Sequence, residues 1–197
     1  MKLNKLFPKI VAEFDGVCVD NIPAMIKEVE ELSSYGTMRN STLNVESSHR
    51  SIQTIHRLPP FKPLAKEALS NATKFLSEYG YTNQLPHLYI SNMWFNISEK
   101  GDYLFPHTHP GSLLSGAYYL DTDESHYIYF YDMHRNLTES PSFPNDLNTD
   151  TYPMPCTQGM MYLFHSDFIH AVPRQEADAR KIVISFNLCF ENLKSMH

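Results

Sequence analysis

The first third of the chain carries its apolar residues at helical spacing. They recur every three or four positions from Ile22 to Leu32, and again from Leu64 to Tyr79, and a glycine closes each stretch. A shorter apolar run at residues 9–14 comes before both. These patterns predict an opening strand followed by two amphipathic helices.

The pattern changes at residue 85. Short runs rich in aromatic and β-branched residues alternate with clusters of Pro, Gly, Asn and Asp, which is typical of an antiparallel sandwich or barrel. The runs are residues 87–98, 113–121, 126–132, 159–165 and 180–190. The polar stretch 133–158 is too long for a tight turn, and we interpret it as a loop at the rim of the fold.

Together these patterns predict a mainly β fold with N-terminal α-helices. The β-rich part is expected to close into a double-stranded β-helix, a jelly-roll and cupin-like arrangement, with the helices packed outside one sheet. A chain of 197 residues falls within the usual size of one domain. We therefore predict a single domain over 1–197, with a helical and strand support region at 1–84 and the β-helix core at 85–197.

Composition narrows the classes of partner. The formal net charge is −6, and no Lys/Arg cluster is longer than the pair at 180–181, which argues against a nucleic-acid-binding surface. No stretch approaches the roughly 20 apolar residues of a membrane span. The three cysteines, Cys18, Cys156 and Cys189, are far apart and odd in number, as expected in a reducing compartment. We expect a cytoplasmic protein without nucleic-acid or membrane partners.

Residues 105–120, FPHTHPGSLLSGAYYL, place two histidines just before a Pro-Gly turn and an apolar strand. Side chains alternate along a strand, so His107 and His109 are expected on one face and Thr108 on the other. Two imidazoles on one face suit a shared metal ion. The pair alone is weak, because the chain has 10 histidines and a single histidine is more often hydrogen-bonded scaffold.

A third histidine strengthens the metal interpretation. The segment GMMYLFHSDFIHAVP (159–173) is a hydrophobic run that enters a turn, and we expect His165 to end the strand and His170 to supply a ligand. If this segment and residues 180–190 form an antiparallel hairpin, Arg180 lies beside His170. A guanidinium binds a carboxylate in bidentate fashion, so this arrangement suits a small dicarboxylic keto acid, although Arg180 could equally be a solvated charge at a strand entrance.

The sequence resembles the 2-oxoglutarate and iron(II)-dependent oxygenases, in particular a branch frequent in marine bacteria and their phages. The likeness covers most of the chain and is most specific in NMWFNISEKGDYLFPHTHPGSLLSGAYYL (92–120). The residues that match the branch in order and spacing are Trp94, Asn96, Gly101, His107, His109, Pro110, Ser115, Gly116 and Tyr119.

The resemblance implies a site for Fe(II) held by His107 and His170, with His109 in the third ligand position. It also implies Arg180 as the salt-bridge partner of the distal carboxylate of the co-substrate 2-oxoglutarate. The implied activity couples decarboxylation of 2-oxoglutarate to succinate with the hydroxylation or other oxidation of a C–H bond by O₂. The sequence does not name the prime substrate.

Further side chains are implied around the co-substrate. Tyr118 or Tyr119 is expected to donate a hydrogen bond to 2-oxoglutarate; only one of them can point inward on a regular strand, and its position favours Tyr119. Asn96 and Asn187 are expected either to line the pocket or to act as hydrogen-bonded scaffold.

The third ligand position departs from the wider superfamily, which has an aspartate or glutamate where this chain has His109. A neutral set of ligands leaves the ion about one charge unit more positive, which alters its redox behaviour. Asp121 and Asp123 carry carboxylates, but they lie a full strand away from His109, so we give them little weight.

Two other interpretations stay open. The histidines also resemble those of a cupin-type metal dioxygenase that does not use 2-oxoglutarate, but the glutamate expected after the HxH pair is missing, since residues 111–114 are GSLL. A non-enzymatic jelly-roll module that binds a metal is the second alternative. An exposed sheet edge would allow a homodimer, and the location would be the host cytoplasm if a phage encodes the chain.

Overall fold

The protein is described by a computed structural model that covers residues 1, 8–40, 45–81, 87–123, 125–132, 143 and 148–191. Two α-helices lie in the first half of this described part, α1 (Ile22–Gly36) and α2 (Lys62–Glu78). The strands are β1 (Val11–Phe14), β2 (Met38–Asn40), β3 (Val45–Ser47), β4 (Leu88–Ser98), β5 (Leu104–His107), β6 (Leu114–Asp121), β7 (Tyr127–Tyr131), β8 (Thr151–Pro155), β9 (Met161–His165), β10 (His170–Val172) and β11 (Lys181–Phe190).

The strands form two antiparallel sheets. The major sheet has seven strands in the order β1-β9-β6-β11-β4-β3-β2, and the minor sheet has four in the order β5-β10-β7-β8. From β4 onward the chain passes repeatedly from one sheet to the other, which is the winding of a double-stranded β-helix. The predicted fold class is confirmed.

The helices pack on one face of the major sheet. Alternate residues of β11 point to this face, and Ile182, Ile184, Phe186 and Leu188 are fully buried there. They share one apolar cluster with the inward stripes of α1 and α2, including Met25, Val29 and Leu64, which explains the helical spacing in the sequence. The helices are therefore held by packing on the outside of one sheet, as predicted.

A second apolar cluster fills the space between the sheets. Its buried members are Ala117, Tyr119, Ile128, Phe130, Cys156, Met160, Tyr162 and Phe164. In β6 and β9 the members of this cluster alternate with those of the helix-facing cluster, so these two strands of the major sheet serve two cores. Polar side chains on this inner face are the ones that a bound molecule between the sheets can reach.

The structure corrects two details of the sequence interpretation. The predicted hairpin between residues 159–170 and 180–190 is wrong, because β9 pairs with β1 and β6, whereas β11 lies between β6 and β4. Residues 151–155 were expected in a loop but form β8, which pairs with β7. Most of the remaining predicted rim loop, 133–142 and 144–147, lies outside the described residues.

Neither of the α-helices in the described ranges is long and apolar enough to cross a bilayer. The division of a single domain at residue 84 stays a prediction.

Candidate metal centre

Three histidines meet between the sheets. His107 ends β5, His170 begins β10, and the two are direct partners across the strand pair. His109 lies in the turn after β5, where its backbone N–H donates to the Ser166 carbonyl at 2.8 Å. One ring nitrogen of each residue lies within 4.8 Å of those of the other two. We call His107, His109 and His170 the triad.

Backbone carbonyls fix the orientation of two triad rings. The Nδ1 atom of His107 lies 2.7 Å from the Phe105 carbonyl oxygen, and that of His170 lies 2.9 Å from the Phe168 carbonyl oxygen. A carbonyl oxygen only accepts, so Nδ1 carries the proton in each ring and the lone pair of Nε2 is free. The Nε2 atoms of His109 and His170 lie 3.2 Å apart. This donor set fits a metal ion bound through Nε2 atoms.

Burial keeps the triad neutral. It lowers the pKa of His170 to about 3 and that of His109 to about 4, with repulsion from the neighbouring triad rings as a further cause. The pKa of His107 is also lowered by burial, against the opposing effect of its bond to the Phe105 carbonyl. Neutral imidazole is the form that binds a metal, so all three side chains are ready to do so at neutral pH.

The other histidine of the β9 segment and the two candidate carboxylates lie elsewhere. His165 ends β9, as expected from the sequence, and packs on the helix-facing side with a ring distance of 4.7 Å to Tyr79. Asp121 pairs with Arg180, and Asp123 pairs with His126. Among the described residues, the group close enough to hold one ion consists of histidines only.

The two predicted asparagines point to the inner face and are hydrogen-bonded. Asn96 accepts from the Ser47 hydroxyl at 2.7 Å and donates to the Ser185 hydroxyl at 3.1 Å. Asn187 accepts from the Ser115 hydroxyl at 2.7 Å. Ser115 in turn lies 2.8 Å from Ser166, whose carbonyl holds the His109 turn. Asn187 is therefore linked through two hydroxyl groups to the segment that positions a triad residue.

The adjacent tyrosines of β6 point in opposite directions. Tyr118 lies in the helix-facing cluster and donates to the Val17 carbonyl at 2.7 Å. Tyr119 is buried between the sheets and forms a hydrogen bond with Cys156. Burial raises the pKa of both phenols, so both remain protonated donors. The preference for Tyr119 as the inward residue agrees with this placement.

The structure places Arg180 away from the triad. Its guanidinium donates to Glu30 of α1 at 3.2 Å and to Asp121 at 3.3 Å, and 41% of the side chain is exposed. The reason is strand alternation, because Arg180 falls in step with Ile182 and Ile184, which face the helices. The next residue, Lys181, is in step with Ser185 and Asn187 and is only 2% exposed.

Sequence reasoning missed three polar side chains on this inner face. Lys181 is the first residue of β11, and His126 comes just before β7. Both side chains are buried at the same end of the barrel. The ring of His49 lies 4.5 Å from that of Trp94 at an interplanar angle of 59°, and the Trp94 ring lies 6.0 Å from that of His109. The alternation in KIVISFN (181–187) was a usable signal, because it puts Lys181 on the same face as Asn187.

Comparison with known proteins relates this geometry to a family. Residues 92–187, which include the triad, Tyr119 and Lys181, match the model of a family described as "Putative 2OG-Fe(II) oxygenase". This segment is similar to the 2OG-Fe(II) oxygenases. A search of curated protein sequences finds no match to the chain.

Solved structures of 2OG-Fe(II) oxygenases share the fold at low sequence identity. The epimerase SnoN from nogalamycin biosynthesis superposes with a TM-score of 0.68 at 13% identity, over 92% of this chain and 77% of SnoN. HygX from Streptomyces hygroscopicus, with nickel and 2-oxoglutarate bound, gives 0.63 at 12% identity, over 92% and 83%. The viral collagen prolyl hydroxylase of Paramecium Bursaria Chlorella virus-1, a 2-oxoglutarate complex, gives 0.60 at 13% identity, over 90% and 94%.

Proposed function

We propose that the protein is a 2-oxoglutarate- and Fe(II)-dependent oxygenase that uses O₂ to oxidise a prime substrate, most simply by hydroxylation. The observation that carries this proposal is the buried triad, in which one ring nitrogen from each of three neutral imidazoles converges within the segment that matches the oxygenase family. Similarity to the family, together with structural neighbours that bind a metal and 2-oxoglutarate, supports the choice of iron and of co-substrate.

His107, His109 and His170 would hold the metal. Iron bound there supplies the redox chemistry that couples 2-oxoglutarate decarboxylation to substrate oxidation. The protein's contribution is to present three neutral donors: the Phe105 and Phe168 carbonyls fix the rings of His107 and His170, and the Ser166 carbonyl holds the backbone of His109. Since the set carries no charge, a divalent ion there would keep its full charge until the acid group beside the keto group of 2-oxoglutarate binds, whereas a carboxylate ligand would lower that charge by one.

Lys181, and not Arg180, would bind the distal carboxylate of 2-oxoglutarate. Its ammonium group is buried between the sheets on the same face as the triad-side residues of β11, where a carboxylate would find a positive partner with little competing water. The Tyr119 phenol lies nearby, since both residues interact with Cys156. We assign Lys181 and Tyr119 to the distal carboxylate of 2-oxoglutarate and Arg180 to the outer surface.

Asn187 and Asn96 would shape the rest of the inner wall, Asn187 by fixing Ser115 and so the His109 turn. We further propose that the protein works in the cytoplasm, in that of the host if a phage encodes it. The prime substrate stays unassigned, and a homodimer stays a prediction.

The test is anaerobic Fe(II) binding followed by 2-oxoglutarate, read by calorimetry and by the visible absorption that a chelated keto acid gives to Fe(II). We expect one ion per chain, a spectral change on adding 2-oxoglutarate, and succinate release when air is admitted. His107→Ala should remove metal binding, whereas His165→Ala, a histidine on the opposite face, should retain it. Metal binding without any response to 2-oxoglutarate would favour the cupin-type alternative and overturn the proposal.

A further inference from the structure

A cavity of about 130 Å³ lies beside Lys181, where the segments that precede β7 and follow β10 come together. Its walls include His126, Gln175 and Lys181, which are 4%, 5% and 2% exposed. Polar groups buried this deeply are normally paired, so their environment indicates what the cavity accepts. We call it the Lys181 cavity.

His126 and Lys181 face each other across the barrel. On β7, Ile128 and Phe130 point between the sheets, and His126 continues the same alternation just before the strand. Lys181 occupies the corresponding inward position at the start of β11, in the facing sheet. Cys156 joins the two, because its backbone N–H donates to the His126 carbonyl and its thiol interacts with Lys181.

The His126 ring is oriented by an acid and has one unused nitrogen. Its Nδ1 lies 2.7 Å from Oδ1 of Asp123 and 3.2 Å from the Thr122 hydroxyl. Its Nε2 is buried, and within the described ranges no hydrogen-bond partner reaches it. Because Nδ1 is held by the Asp123 carboxylate, Nε2 is the ring nitrogen left for a ligand, and an N–H at that position would be available to an anion.

Gln175 completes the polar wall with an acceptor. Its Nε2 donates to the Ala179 carbonyl, which fixes the amide orientation, and its Oε1 is buried with no partner in the described part of the chain. An ammonium group has three N–H donors and can bond both this oxygen and a carboxylate. The cavity thus combines an acceptor for Lys181 with a second donor for an acid.

We propose that His126 is a second contact for the distal carboxylate of 2-oxoglutarate, beside Lys181; this inference rests on the proposed function. A dicarboxylic keto acid held at the triad would extend between the sheets toward Lys181, and its acid group would meet donors from both sheets. His126 then selects for the distal acid, while Asp123 acts as the positioning residue that holds the His126 ring.

The test compares two keto acids that differ only in that acid. 2-Oxoglutarate and 2-oxopentanoate, which has a methyl group in its place, are titrated anaerobically into the Fe(II)-loaded full chain by calorimetry. His126→Leu should weaken 2-oxoglutarate about tenfold or more, as expected for the loss of a hydrogen bond to a charged group, and leave 2-oxopentanoate unchanged. Tyr127→Phe is the matched control, because Tyr127 is the adjacent side chain and is 39% exposed.

The outcomes separate the inference from the proposed function. If His126→Leu changes both affinities equally, or neither, His126 is not an acid contact and the inference is overturned, although 2-oxoglutarate binding by the wild type still supports the proposed function. If the wild type binds metal but neither keto acid, both fail. Should His126→Leu not fold, the same two titrations are made with Asp123→Asn, which changes the half-exposed partner of His126. An unchanged ratio of the affinities for the two keto acids then overturns the inference.

Discussion

Replacing Lys181 by Met is expected to weaken 2-oxoglutarate binding while making the protein without ligands more stable. Met has a similar length and no charge, so the change removes the ammonium group and little volume. The matched control is the adjacent Arg180→Met, because Arg180 has the same charge but lies on the outer surface with Glu30 and Asp121.

The magnitudes follow from the two environments. A hydrogen bond to a charged group contributes about 1.5–3 kcal/mol, so Lys181→Met should raise the Kd for 2-oxoglutarate about 10- to 150-fold. Burial lowers the pKa of Lys181, which means that its charge is unfavourable there before the co-substrate binds. Removing it should therefore raise the free energy of unfolding by about 1 kcal/mol, or Tm by about 2–4 °C. Arg180→Met should leave the Kd unchanged and cost at most about 1 kcal/mol, since its ion pairs are partly exposed.

Anaerobic calorimetry of the Fe(II)-loaded proteins gives the Kd, and thermal denaturation of the metal-free proteins gives Tm. The reasoning is refuted if Arg180→Met weakens 2-oxoglutarate as much as Lys181→Met does. It is also refuted if Lys181→Met binds 2-oxoglutarate like the wild type, because the buried ammonium would then have another purpose.

Two further predictions concern packing and pH. Gly116→Ala should lower the free energy of unfolding by about 1–3 kcal/mol in urea denaturation, because the added Cβ would lie 2.2 Å from Cζ of Phe186 and 2.9 Å from a Leu163 methyl group; an unchanged midpoint would contradict the packing described. Fe(II) affinity should fall by less than about tenfold in total between pH 7.5 and 5.5, because burial lowers the pKa of His109 to about 4 and of His170 to about 3 and also lowers that of His107, whereas each imidazole of ordinary pKa would lose about tenfold. The same lowered pKa values mean that the unfolded chain binds protons the folded chain does not, so the metal-free fold should lose stability as pH falls below about 6.5.

Sequence periodicity was sufficient for the helices, for the five longer runs that form β4, β6, β7, β9 and β11, and for the fold class, because each depends on the alternation of residues within one segment. The triad was also accessible, since His107 and His109 share a short segment and His170 follows a recognisable strand. The pairing of strands was not, because β9 and β11 both belong to the major sheet and have only β10 between them in sequence, yet β6 lies between them in that sheet.

The choice between Arg180 and Lys181 shows the same limit at the level of one residue. Both are cations at the start of a strand, and only the face on which the strand packs decides which of them is buried. Alternation with Ile128 and Phe130 puts His126 on the inward side, but its significance comes from Lys181 on the opposite sheet, which no local pattern indicates. Contacts between facing sheets depend on how the barrel closes, which a single sequence does not encode in any local pattern.

β11 lies between β6 and β4 at the centre of the major sheet. Residues on its helix-facing side contribute to folding, and residues on its inner side contribute to ligand binding. Substitutions at 182, 184, 186 and 188 would be felt as lower yield of folded protein, whereas those at 181, 185 and 187 would leave a soluble protein with altered ligand affinity. A saturation library over this one strand, sorted first for expression and then for keto-acid binding, would thus give two phenotypes that alternate from each position to the next.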